Sequence, residues 1–136
     1  MFALLDTNVY IDHWEHGAHV EALREVRQGF IVRHSAVVLS ELRRGAHTEG
    51  ARDLVESLRG AAVVIWTPFE EDWWTAGELV SDIGRRRGWG AGKKRDFQND
   101  ALIALTARRN GATLVTSNRA DFALLASEIP FRMMSV

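Results

Sequence analysis

The sequence predicts an α/β fold: a three-layer sandwich built on a mainly parallel central sheet. Short apolar runs rich in β-branched residues alternate with stretches of helical periodicity along the whole chain. Parallel neighbours need crossover connections, and this alternation supplies them. No internal repeat or break in composition divides the 136 residues, so one domain over 1–136 is expected.

The elements follow in order. Phe2 to Leu5 is an apolar run that ends on Asp6-Thr7-Asn8, a strand with a turn or helix cap behind it. Val20, Leu23 and Val26 recur at helical spacing between His19 and Gln28, and Gly29 is a natural stop. Phe30 to Val38 suits a second strand, and Leu39 to Arg44 a helix that carries Glu41. Gly50 to Arg59 reads as helix and Ala61 to Trp66 as a third strand. In Thr67-Pro68-Phe69-Glu70, Thr67 is placed to cap and Glu70 to complete a capping box, opening a helix that reaches about Ile83.

Residues 84–95, GRRRGWGAGKKR, combine four glycines with six basic residues, which predicts an exposed, mobile connection. Asp96 then reads as the N-cap of a helix from Phe97 to Arg109, stopped by Asn110-Gly111. Ala112 to Thr116 is a fourth strand, Phe122 to Ala126 a short helix with Asp121 as its cap, and Pro130 to Val136 an edge strand.

Composition narrows the functional classes. Hydrophobic residues at 46% and charged residues at 26% describe a folded globular chain and not a disordered one. Seventeen Lys and Arg against eighteen Asp and Glu leave a net charge of −1, so no bulk positive field marks a nucleic-acid binder. With no Cys, disulfides, thiolate metal sites and Cys nucleophiles are excluded. MFALLDTNVY carries no basic leader or export segment and no membrane-spanning run follows, so a cytoplasmic location without membrane contact is the expectation.

The chemistry is expected in carboxylates. Ligands of parallel sheets collect beyond the carboxyl ends of the strands, where Asp6 and the Thr116 to Asp121 turn both fall. Asp100 sits on a helix that is apolar on most sides, and a carboxylate at the edge of a core is costly unless a cation compensates it. Oxygen donors of this kind suit Mg²⁺, with Mn²⁺ an alternative. The five histidines, at 13, 16, 19, 34 and 47, show no HExxH spacing, which argues against zinc.

LLDTNVYID near the start, SAVVLSELRRG in the middle and NDALIALTARRNGATLVTSNRADF near the end resemble the PIN-domain family, and within it the VapC-type toxins of bacterial toxin–antitoxin pairs. The resemblance spans nearly the whole chain and rests on the order and spacing of the motifs together. It implies that Asp6, Glu41, Asp100 and Asp121 are the catalytic, metal-binding acids, supported by Thr7, Asn8, Thr116 and Asn118. It further implies Mg²⁺-dependent endonucleolytic cleavage of RNA, a homodimer and a cognate antitoxin.

Each feature also has a plainer explanation. Asp6 and Asp121 are suited to helix capping, as is Asp96, whose place in the site stays open. Glu41, ahead of Arg43 and Arg44, has the setting of a solvated charge. Arg85, Arg86, Arg87, Lys93, Lys94 and Arg95 beside Trp89 suit either RNA contact or a solvated loop. Trp66, Trp73 and Trp74 suit packing or an oligomer interface. The main rival function is a catalytically inactive PIN-like module that only holds RNA or protein. A phosphotransfer site of the receiver or haloacid-dehalogenase type fits less well, because Asn8 stands where the second Asp of that phosphatase is wanted, and Ser117 and Asn118 where a receiver wants Lys.

Overall fold

The computed structural model describes residues 1–136. Five strands, β1 (Phe2–Leu5), β2 (Ile31–Ser35), β3 (Ile65–Trp66), β4 (Thr113–Thr116) and β5 (Arg132–Ser135), form one sheet in the order β3-β2-β1-β4-β5. Every pairing is parallel, with Leu4 level with Arg33 on one side and Leu114 on the other. The helices α1 (Thr7–His16), α2 (Val20–Gly29), α3 (Ala36–Gly45), α4 (Glu49–Ala61), α5 (Glu70–Arg87), α6 (Ala91–Arg109) and α7 (Arg119–Ala126) supply the crossovers. No helix is long and apolar enough to cross a membrane.

Alternation along β1 produces the layers. Leu4 enters a large core with Val38, Leu42, Val55, Ile83, Phe97 and Phe122 from α3 to α7, whereas Ala3 and Leu5 enter a smaller one with Leu23 and Val26 of α2. Both faces of the central strand are therefore covered, as a parallel sheet requires. The chain runs outward from β1 through β2 to β3 and then returns to β4 on the other side of β1. That reversal opens a crevice above the carboxyl ends of β1 and β4.

Three sequence-based expectations are corrected. The connection at 84–95 is mostly helix: α5 continues to Arg87, turns through Gly88 with φ +65°, and α6 begins at Ala91. Gly84 is buried inside α5, where an added Cβ would stand 3.1 Å from Lys94 Cε, and Trp89 packs edge-on against Phe97 at 4.8 Å. The glycines here serve close helix packing and a tight reversal, so Asp96 lies in the second turn of α6 and caps nothing.

The second correction concerns α5, which starts at Glu70. Asp72 accepts from the Phe69 N–H at 2.8 Å, in place of the expected Thr67–Glu70 box. The third concerns Asp121, which lies in the first turn of α7, with Asn118 at the cap position.

Smaller shifts have local causes. Ser35 accepts from the N–H groups of Val37 and Val38, which starts α3 within the segment assigned to strand two. α4 runs on to Ala61, leaving β3 only two residues. α1 begins directly at Thr7, with Asp6 as its N-cap.

Trp66 is packed, edge-on to Phe2 at 5.6 Å, whereas Trp73 and Trp74 are 50% and 72% exposed.

Candidate active site

The switch between β1 and β4 fixes the site. Asp6 continues the β1 ladder through its N–H to the Val115 carbonyl, and its side chain is almost wholly buried. Its Oδ1 accepts from Thr7 N at 2.8 Å and its Oδ2 from the Thr116 hydroxyl at 2.9 Å. Burial pushes the Asp6 carboxyl up to about 6; hydrogen bonds from Thr116 and Thr7 oppose the rise, and the negative charges of Glu41 and Asp12 add to it.

Glu41 comes from the middle of α3. Its Oε1 accepts from the Thr7 hydroxyl at 2.7 Å and its Oε2 from Asn99 Nδ2 at 3.4 Å, with Arg44 at 4.0 Å. This Glu is therefore a held group and not a solvated helix charge. Asp100, one residue beyond Asn99 on α6, faces the same cleft. Burial, joined by the charges of Asp6, Glu41 and Asp121, raises its carboxyl to about 8, and Lys93 only partly opposes this. Asp121 accepts from Lys93 Nζ at 2.6 Å and Asn118 Nδ2 at 3.2 Å.

A cleft of about 590 Å³ joins these groups. Glu41, Asp96, Asp100 and Asp121 line it together with Thr7, Asn8 and Asn118, and Asp6 lies beneath. Thr116 is fully buried and acts through its hydroxyl, which donates to Asp6 and accepts from Asn118 N at 2.9 Å. Strand ends and helices thus bring the four acids and four supporting residues named from the sequence to one place.

The donors are all hard oxygens, and the acids repel one another with Lys93 as their nearest cation, so the set fits Mg²⁺ or Mn²⁺. No three acidic or histidine side chains stand at chelating distance of a common point, because Glu41 is turned to Thr7 and Asn99 and Asp121 to Lys93. A Mg²⁺ site needs only one or two direct carboxylates, with waters and phosphate completing the shell.

The six basic residues do not act as one patch. Lys93 alone lines the cleft, its ammonium also 5.1 Å from the centre of the Trp89 ring. Arg85 lies 3.9 Å from Asp82, and Arg86 pairs with Glu128 at 3.1 Å beside Arg87 in a separate hollow. Lys94 packs along Gly84, and Arg95 is exposed outside the cleft.

Arg44 and His47, on the α3 side of the cleft, were not singled out from the sequence. Their only local signal is their position three and six residues after Glu41, as α3 ends.

An α/β domain with a cluster of acids over a parallel-sheet switch point defines the class. The chain belongs to the PIN domain family, whose model matches residues 3–127. Among solved structures it is similar to a chain of VapBC2 from Rickettsia felis bound to a promoter DNA fragment, with TM-score 0.68 and 22% identity over 100% of this chain and 99% of that one. VapBC-1 from nontypeable Haemophilus influenzae gives a TM-score of 0.69 and 23% identity, covering 99% and 98%. VapBC-5 from Mycobacterium tuberculosis, a member of the VapBC family of toxin–antitoxin systems, gives 0.62 and 22%, again over 99% and 98%. At these identities the likeness is one of fold. No curated protein matches the chain.

Proposed function

We propose that this PIN domain is a metal-dependent endoribonuclease and the toxin of a toxin–antitoxin pair, working in the cytoplasm as a homodimer. The observation that carries the activity is the convergence of Asp6, Glu41, Asp100 and Asp121 on one cleft with too little positive charge from the protein to balance them. The toxin assignment is supported by family membership together with the fold shared with chains of VapBC complexes. An antitoxin is then the natural protein partner, covering an acidic cleft that otherwise faces solvent.

One or two of Asp6, Glu41, Asp100 and Asp121 would ligate the ion, Mg²⁺ or Mn²⁺, directly and the others through its waters, and when bound it would supply Lewis acidity toward water and the scissile phosphate. The remaining contributions come from the chain. Thr116 and Thr7 fix the rotamers of Asp6 and Glu41 by donating hydrogen bonds at 2.9 and 2.7 Å. Lys93 on α6 faces Arg44 and His47 on the α3 side, so an RNA backbone crossing the cleft meets positive charge on both banks and the acids between them. Trp89, beneath Lys93, is half-buried against Phe97 and props the lysine instead of offering a free face for base stacking.

The test is incubation of the purified, partner-free chain with a pool of structured RNAs in Mg²⁺ or EDTA, with product ends mapped. Cuts that need the metal and leave 5′-phosphates support the proposal. Tight RNA binding without cutting in any divalent metal would instead indicate a binding module.

A further inference from the structure

A second side-chain network reaches the acids from the opposite direction. Asp12, on the outer half of α1, receives two contacts on one oxygen: Ser117 Oγ donates to its Oδ2 at 3.1 Å, and His19 Nε2 lies 3.2 Å from the same atom. A carboxylate can only accept, so the ring proton of His19 sits on Nε2. His19 is the one non-glycine residue with positive φ, +65°, a conformation that L residues rarely adopt and that persists where the surroundings demand it. The same corner is closed by His13 Nδ1 at 2.9 Å from the Ala18 carbonyl.

On its other side Ser117 leads directly into the site. The turn between β4 and α7 carries Thr116, whose hydroxyl holds Asp6, and Asn118, whose amide holds Asp121. From His19 through Asp12 and Ser117, one connected path therefore ties the α1–α2 corner to the segment that presents two of the acids. Neither Asp12 nor Ser117 lines the cleft; Ser117 acts through what it holds, and Asp12 adds to that its negative charge near Asp6.

We propose that Asp12 is a positioning residue: pinned by His19, it anchors Ser117 and so sets where the β4–α7 turn places Asn118 and Asp121. The function of that placement rests on the metal-site assignment above; the anchoring itself does not. Asp12→Ala and Ser117→Ala each remove the tie, and the loss of an outer-shell support of this kind lowers metal affinity by about tenfold.

His19→Gly separates anchoring from stability, because glycine accepts the left-handed backbone without strain but loses the ring. The experiment is Mn²⁺ titration calorimetry on the full chain and these three variants, with Tm measured alongside and amide hydrogen exchange followed at residues 117–121. The expected result is weaker Mn²⁺ binding and faster exchange at 117–121 in all three, with the Tm of His19→Gly at or above that of the unaltered chain. Unchanged exchange and unchanged Mn²⁺ affinity in Ser117→Ala and His19→Gly would overturn the proposal. If the unaltered chain bound no Mn²⁺, the metal-site assignment would fall, while exchange at 117–121 would still decide the anchoring.

Discussion

Two carboxylates on neighbouring helices, Asp72 buried and Asp100 half-buried, have opposite fates. Asp72, in the first turn of α5, meets the Arg109 guanidinium with both oxygens, at 2.8 and 2.9 Å, and accepts from Phe69 N as well. Burial alone would raise its carboxyl, but the hydrogen bonds from Arg109 and Phe69 outweigh that and hold it below the ordinary range. Asp100, on α6, has no such partner, and burial with three neighbouring acids holds it up at about 8.

The protein thus completes one site with its own cation and leaves the other to be completed by something else. Asp72 with Arg109 is a clasp that fastens the start of α5 to the end of α6, with Phe69 stacked 4.0 Å from the guanidinium carbon. On the proposed reading, Asp100 belongs to a site that a divalent cation completes.

That contrast can be broken most directly at Asp100. Asp100→Asn should lower metal-dependent cleavage by at least about 100-fold, since loss of a ligand exceeds loss of a ligand's support. It should also raise the Tm of the metal-free chain at pH 8, because a repelling charge disappears. A fully active, metal-binding Asp100→Asn chain would remove Asp100 from the site.

At the other carboxylate the opposite pattern is expected. Asp72→Ala removes a helix cap worth about 1 kcal/mol and leaves Arg109 unpaired, so Tm falls by several degrees while Mn²⁺ affinity holds. Thermal melts and calorimetry on the same sample check both halves. A loss of Mn²⁺ affinity in a folded Asp72→Ala chain would merge the two regions that the structure keeps apart.

pH should separate them again. Asp100 at about 8 and Asp6 at about 6 bind protons in the folded chain that the unfolded chain, with carboxyls near 3.8, has released. Stability of the metal-free protein should therefore fall as pH rises from about 4 to 8, and this slope should flatten in Asp100→Asn. Asp72 has the reverse sign: its contribution is present above the ordinary carboxylate value of 3.8 and is lost as pH falls through its depressed folded value. Denaturant melts across pH 3 to 8 would show both limbs, and a flat profile above pH 5 would contradict the buried repulsion.

The smallest expected effect is at the end of α5. Replacing Arg85, Arg86 and Arg87 with Gln should leave RNA affinity nearly unchanged, because these side chains lie away from the cleft. Replacing Arg44 and His47 should weaken RNA binding and reduce its salt dependence. Filter binding to catalytically silent Asp100→Asn protein at several salt concentrations measures both.

Asp6 and Asp100 drew attention in the sequence through local settings, whereas Glu41 and Asp121 entered through the family resemblance. Asp6 ends an apolar strand, Asp100 interrupts an apolar helix face, and the Thr116-to-Phe122 motif follows the fourth strand. Glycine and arginine misled at 84–95, where short-range composition reads as a loop but Gly84 is small so that Lys94 can lie across it. Long-range ties left no local pattern at all: Ser117 and Asp12 are 105 residues apart, and Arg109 and Asp72 are 37 apart. Arg109 therefore looked like an ordinary basic residue at a helix end, and Asp72 like one of three first-turn acids.

The most direct test of an acid cluster left for a metal to complete is Mn²⁺ titration calorimetry at pH 7, run in buffers of different ionisation enthalpy so that protons released on binding are counted. With burial and the neighbouring acids raising the Asp100 carboxyl to about 8, an ion that Asp100 ligates should displace a proton. The expected result is binding with net proton release that disappears in Asp100→Asn. No Mn²⁺ binding, or binding without proton release that survives the substitution, would contradict it.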